Sequence, residues 1–96
     1  MESGPLSLIL YSAHGCCLCQ VLHDQIVQLE AEFPLRLEVV EITGDPLLEQ
    51  KFRAELPVLF INGRKAVKFR ISTEALRDKL RRASGRGSGI IEGVEE

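Results

Sequence analysis

A chain of 96 residues, 45% hydrophobic and 27% charged, has room for one small core, which excludes a two-domain enzyme, a long repeat array and a large enclosed cofactor. No apolar run approaches the ~20 residues of a membrane helix, and the start Met1-Glu2-Ser3-Gly4-Pro5 lacks a basic leader, so a cytoplasmic protein without a membrane partner is expected. A net charge of −2 argues against a polyanionic partner.

Leu6 to Tyr11 is a short apolar run ending in Ser12-Ala13-His14-Gly15, which reads as a buried strand and a loop. From Cys16 onward, Leu18, Leu22, Ile26, Leu29 and Phe33 recur at spacings of three and four until Pro34. That stripe predicts a helix of about four turns. Leu35 to Ile42, with Leu35, Leu37 and Val39 alternating, reads as a second strand, parallel to the first because a helix joins them. Asp45 caps a second helix with Pro46 at its first position and Leu47, Leu48 and Phe52 on its apolar face, ending near Glu55. Pro57 to Ile61 is the third strand, Asn62-Gly63 a two-residue hairpin turn, and Ala66 to Arg70 the fourth strand.

Ser72 caps a last helix that runs to about Arg82 and turns Ala75, Leu76, Lys79 and Leu80 inward. Charge separates along the chain: residues 1–63 hold nine acidic and three basic side chains, residues 64–82 eight basic and two acidic. With one Tyr, four Phe and no Trp there are few platforms for bases, so a solvated basic surface or the rim of an anion site is expected rather than nucleic-acid binding. A domain over 1–83 and a flexible tail over 84–96, Gly- and Ser-rich at its start, complete the division.

The three cysteines, 16, 17 and 19, lie too close together to form a framework of disulfides. One helical turn puts the α-carbons of Cys16 and Cys19 about 5–6 Å apart, inside the ~4.4–6.8 Å window for a disulfide. Cys17 fits neither neighbour and reads as a bystander. At a helix N-terminus, unpaired N–H groups and the macrodipole favour the Cys16 thiolate, which makes it the nucleophile and Cys19 the second thiol. His14 is either a further positive neighbour or an exposed loop residue. His23 stands at i+4 from Cys19 but outside the apolar stripe, and no second cysteine pair exists to complete a zinc site. No metal is assigned. A pair of buried, inert cysteines is the alternative to a redox pair.

A Cys-x-x-Cys opening the first helix, with a Pro directly before the third strand, resembles the thioredoxin superfamily, and the compact element order resembles glutaredoxin over residues 6–82. Tyr11-Ser12-Ala13-His14-Gly15-Cys16-Cys17-Leu18-Cys19 is similar to the active-site stretch of small glutaredoxin-like proteins, and Leu56 to Gly63 to their proline-strand-hairpin segment. The resemblance implies a thioredoxin-like α/β fold, β-α-β-α-β-β-α, with a mixed four-stranded sheet flanked by helices. It implies a cis Pro57 lying against the cysteine pair and a Leu56 backbone that pairs with an extended thiol substrate. It implies a monomeric thiol–disulfide oxidoreductase acting on protein or glutathione mixed disulfides, with no bound cofactor and glutathione as a candidate electron donor.

The intervening Cys17-Leu18, the upstream Ala13-His14 and the trailing Arg70-Ile71-Ser72-Thr73 depart from the Pro-aromatic pair, the Lys and the Gly-Gly-x-Asp element of typical glutaredoxins. Candidates for holding glutathione's carboxylates are then the Leu56 backbone, Arg64, Lys65, Arg70, Ser72 and Thr73, with Arg70 and Ser72 preferred. Weak recognition of glutathione is expected. The second reading is a thioredoxin-fold binding module with a vestigial or structural cysteine pair.

Overall fold

The structure, a computed structural model, describes residues 5–84; the expected tail lies outside the described residues from position 85 onward. The elements are β1 (Leu6–Ser12), α1 (Cys17–Leu29), β2 (Leu35–Glu41), α2 (Pro46–Phe52) with a 3₁₀ turn at Arg53–Glu55, β3 (Val58–Ile61), β4 (Arg64–Lys68) and α3 (Thr73–Ala83). The strands lie in the order β2-β1-β3-β4. β1 and β2 are parallel, and the β1–β3 and β3–β4 pairs are antiparallel. This is the expected thioredoxin-like α/β fold.

Side-chain alternation along the strands builds a core on each face of the sheet. Leu59 and Ile61 join Leu6, Leu8 and Leu10 beneath α1 and α3, which contribute Leu22, Ile26, Leu29, Leu76 and Leu80. Val58 and Phe60 point the other way, toward Phe52 of α2 and Ile42. There the rings of Tyr11 and Phe52 stack with centroids 4.3 Å apart, and Phe60 meets each edge-on at 5.7 and 6.1 Å. The second core therefore supports the end of β1 from which the cysteine loop departs.

Caps fix the helix starts. The Asp45 carboxylate accepts from Leu48 N at 3.2 Å, and the Ser72 hydroxyl accepts from Ala75 N at 3.1 Å. Asn62 and Gly63 adopt φ of 51° and 84°, the left-handed pair that a tight antiparallel hairpin needs. Arg77 of α3 donates two hydrogen bonds to the carboxylate of Glu32, in the turn after α1, at 2.9 and 3.0 Å. These bonds and the guanidinium charge hold the Glu32 carboxyl below the usual carboxylate range.

Several boundaries differ from the periodicity. α1 stops at Leu29, a turn before Phe33, the residue that Pro34 disfavours in helical geometry, and residues 30–32 form the turn that leads into β2. Phe33 still packs on the core from that turn. Val39, which alternates with Leu35 and Leu37, is 48% exposed on β2, a strand at the sheet's edge. Leu47 is 76% exposed, so α2 buries Phe52 and only part of Leu48. Ala75 is exposed and Lys79 half-buried, leaving Leu76 and Leu80 as the inner side of α3.

β4 begins at Arg64 rather than Ala66, since a two-residue turn returns the chain at once. It ends at Lys68 because Phe69 has a φ of 70°, in the left-handed region that costs a residue with a Cβ roughly 1–2 kcal/mol.

Candidate functional site

The site begins where β1 ends. Gly15, at a φ of 79°, turns the loop, and Cys16 N donates to Ala13 O at 3.2 Å. His14 N donates to the Thr43 hydroxyl at 3.0 Å, tying this loop to the one after β2. Cys16 is then the N-cap of α1: its backbone is extended and its Sγ accepts from Cys19 N at 3.1 Å. A cysteine thus occupies the position that Ser, Thr, Asp or Asn usually takes.

Cys16 and Cys19 are joined in a disulfide, with α-carbons 5.2 Å apart. Cys19 is 2% exposed, Cys16 is half-buried and Cys17 is exposed and unpaired. This asymmetry has a chemical consequence. On reduction, a Cys16 thiolate receives the Cys19 N–H and the positive end of the helix, while Cys19 lies one turn inward against the core.

A groove of about 550 Å³ runs beside the pair, lined by Cys16, Cys17, Cys19, His14, Gln20, His23, Val39 and Glu41 among others. Two of these, Val39 and Glu41, carry no mark in the sequence as neighbours of the cysteines. His23 follows Cys19 by one turn, the sole hint in the sequence. It is half-buried rather than solvated, and its Nδ1 is buried without a hydrogen-bond partner. Among the described residues, no group of three or more His, Cys, Asp or Glu is placed to hold a metal ion.

The remaining expected residues lie outside that groove. The Leu56–Pro57 bond is cis and Pro57 is buried. Leu56 packs in the same apolar cluster as Tyr11 and Ala13, which sets this loop at the cysteine end of the sheet. Arg70 is exposed. The Ser72 hydroxyl is engaged as the cap of α3, and the Thr73 hydroxyl accepts from Gln25 Nε2 at 3.2 Å, a group that also donates to Ile71 O at 2.8 Å. Lys65 is paired with Glu55 at 2.8 Å. Arg64 stands beside the Asn62–Gly63 turn, at the opposite end of the sheet from Ser12.

Fold and site together define a thioredoxin-fold protein with a cysteine pair at the N-terminus of its first helix. The chain belongs to the glutaredoxin-like domain family (DUF836), which matches residues 7–81. It is 25% identical over 80 residues to the uncharacterized protein Rv0508 of Mycobacterium tuberculosis, covering 78% of this chain and 82% of that one. Among solved structures it is similar to protein XcR50 of X. campestris, at 28% identity and a TM-score of 0.68, over 78% of this chain and 96% of that one. A thioredoxin from Halobacterium salinarum shares the fold at 19% identity and a TM-score of 0.61, over 84% and 76% of the two chains. No helix of the described residues is long and apolar enough to cross a membrane.

Proposed function

We propose that the protein is a monomeric, cytoplasmic thiol–disulfide oxidoreductase. The observation that carries this reading is the Cys16–Cys19 disulfide at the N-terminus of α1, with Cys16 at the rim and Cys19 beneath it. The Cys16 thiolate attacks one sulfur of a substrate disulfide, forms a mixed disulfide and releases the other sulfur as a thiolate. Cys19, losing its proton, attacks the Cys16 sulfur, closes the Cys16–Cys19 disulfide and releases the second substrate thiol. Two electrons pass from the dithiol to the substrate, and two molecules of glutathione, leaving as glutathione disulfide, or one dithiol protein, itself oxidised to a disulfide, restore the pair.

The substrate side is weaker for glutathione than for a polypeptide. With the Ser72 and Thr73 hydroxyls engaged inside the protein and Lys65 paired, Arg70 and the Leu56 backbone are left to meet two carboxylates. Each charge-assisted contact is worth about 1.5–3 kcal/mol, so affinity in the millimolar range is expected. The Leu56 backbone, extended just before Pro57, offers a short edge to a peptide instead.

Reductase activity on insulin, measured in parallel with a glutathione-regenerating system and with thioredoxin reductase as donor, tests this function. Acceleration with at least one donor, abolished by Cys16→Ser, is expected. No acceleration with either would favour a binding module with a structural cysteine pair.

A further inference from the structure

Phe69 combines two features that folding alone disfavours. Its φ of 70° lies in the region that glycine and asparagine adopt more readily, and the residue is 47% exposed. Glycine or asparagine there would remove both penalties at once, so nothing in the core calls for an aromatic side chain. Residues held in such conformations cluster at binding sites.

Its position is informative. Phe69 N donates to Pro57 O at 3.0 Å and to Glu55 O at 3.3 Å, which clasps the loop carrying Leu56. The residue before it, Lys68, pairs in register with Val58, and Val58 with Tyr11. Two strand spacings of about 4.8 Å then put Phe69 roughly 10 Å along the sheet from the end of β1, the origin of the cysteine loop. An extended peptide covers that distance in about three residues. The flanks are cationic: Lys68 Nζ lies 5.7 Å from the ring centroid, and Arg70 is exposed on the other side.

We propose that Phe69 is a specificity-determining residue, whose ring receives an apolar side chain of a protein disulfide substrate a few residues from the reacting cysteine. Lys68 and Arg70 favour carboxylates beside that apolar residue. The inference rests on the redox reading above and names the substrate class: extended, acidic–apolar polypeptide segments, rather than small disulfides.

The test uses two cysteinyl peptides carried as mixed disulfides with thionitrobenzoate, one with leucine between aspartates three residues from the cysteine, the other with serine between lysines. Bis(hydroxyethyl) disulfide serves as the small substrate. The full chain should prefer the acidic–apolar peptide by about tenfold in kcat/KM, equivalent to ~1.4 kcal/mol. Phe69→Gly should bring the two peptides within about twofold of each other, mainly through KM. It should change turnover of the small disulfide by less than about twofold, with a Tm equal to or above the parent's. Phe69→Asn, which also tolerates this φ, should behave alike. Equal use of the two peptides by the parent chain would overturn the assignment. So would a parallel loss of peptide turnover, small-disulfide turnover and Tm in both variants, which is the signature of a structural role. Failure of the parent chain to reduce even the small disulfide would instead overturn the redox reading itself, and this inference with it.

Discussion

Cys16→Ser is expected to reduce thiol–disulfide exchange to the uncatalysed rate, whereas Cys19→Ser should keep the first attack and accumulate a mixed disulfide. The reason lies in where the two sulfurs sit. Cys16 caps α1, takes the Cys19 N–H at 3.1 Å and reaches the rim of the groove; a serine there preserves the cap but offers no sulfur. Cys19, 2% exposed, meets an incoming disulfide only after Cys16 has brought it close, so removing Cys19 blocks resolution alone. Cys17→Ala is the control. Exposed and unpaired, Cys17 should leave activity within a few fold when lost. Intact-mass analysis after a pulse of disulfide substrate, with limited iodoacetamide labelling of the reduced protein at about pH 6.5, reads all three. Labelling of Cys17 or Cys19 ahead of Cys16, or a mapped disulfide involving Cys17, would reverse the roles.

Phe52→Ala should cost about 3–5 kcal/mol, a large fraction of the ~5–15 kcal/mol that holds a domain of this size. Phe52 is 2% exposed and touches both other rings of the second core. Its removal opens a void that Tyr11 and Phe60, anchored on β1 and β3, cannot fill by shifting as a unit. That core also holds Leu56 and Ala13, so exchange with polypeptide substrates should weaken further than the fraction unfolded accounts for. Phe52→Leu, which keeps most of the volume, should lose less than half as much stability. Urea denaturation of the three proteins measures the difference. A loss below ~1 kcal/mol for Phe52→Ala would mean that the aromatic cluster is not a core.

The parts of the molecule that could be read in advance are those governed by short-range rules. Asn62-Gly63 specifies its turn, Asp45 and Ser72 specify their helix starts, and Leu22, Ile26 and Leu29 mark the buried face of α1. Cys16 and Cys19 announce their own pairing because one helical turn sets their separation. What escaped depends on the third dimension. Val39 alternates correctly along β2, yet β2 is an edge strand and its end opens onto the cysteine groove rather than a helix. The place of Glu41 beside the cysteines follows from the β1–β2 register, which no local pattern encodes, whereas His23 is announced by its one-turn spacing from Cys19. Phe69 is the clearest case: its sequence neighbours suggest a strand interior, and only the backbone reveals the left-handed turn and the clasp on Pro57.

The reversible redox equilibrium of the Cys16–Cys19 pair is the most direct test of the central claim. The folded protein would be equilibrated across dithiothreitol and glutathione buffers, quenched by alkylation and weighed. The expected result is a single two-electron transition confined to Cys16 and Cys19, with a midpoint in the range of about −180 to −270 mV spanned by thioredoxins, glutaredoxins and their oxidising relatives. Thiols that never pair in the native protein, or a disulfide that resists excess dithiol until the chain is unfolded, would contradict a redox role and leave the pair as a structural staple.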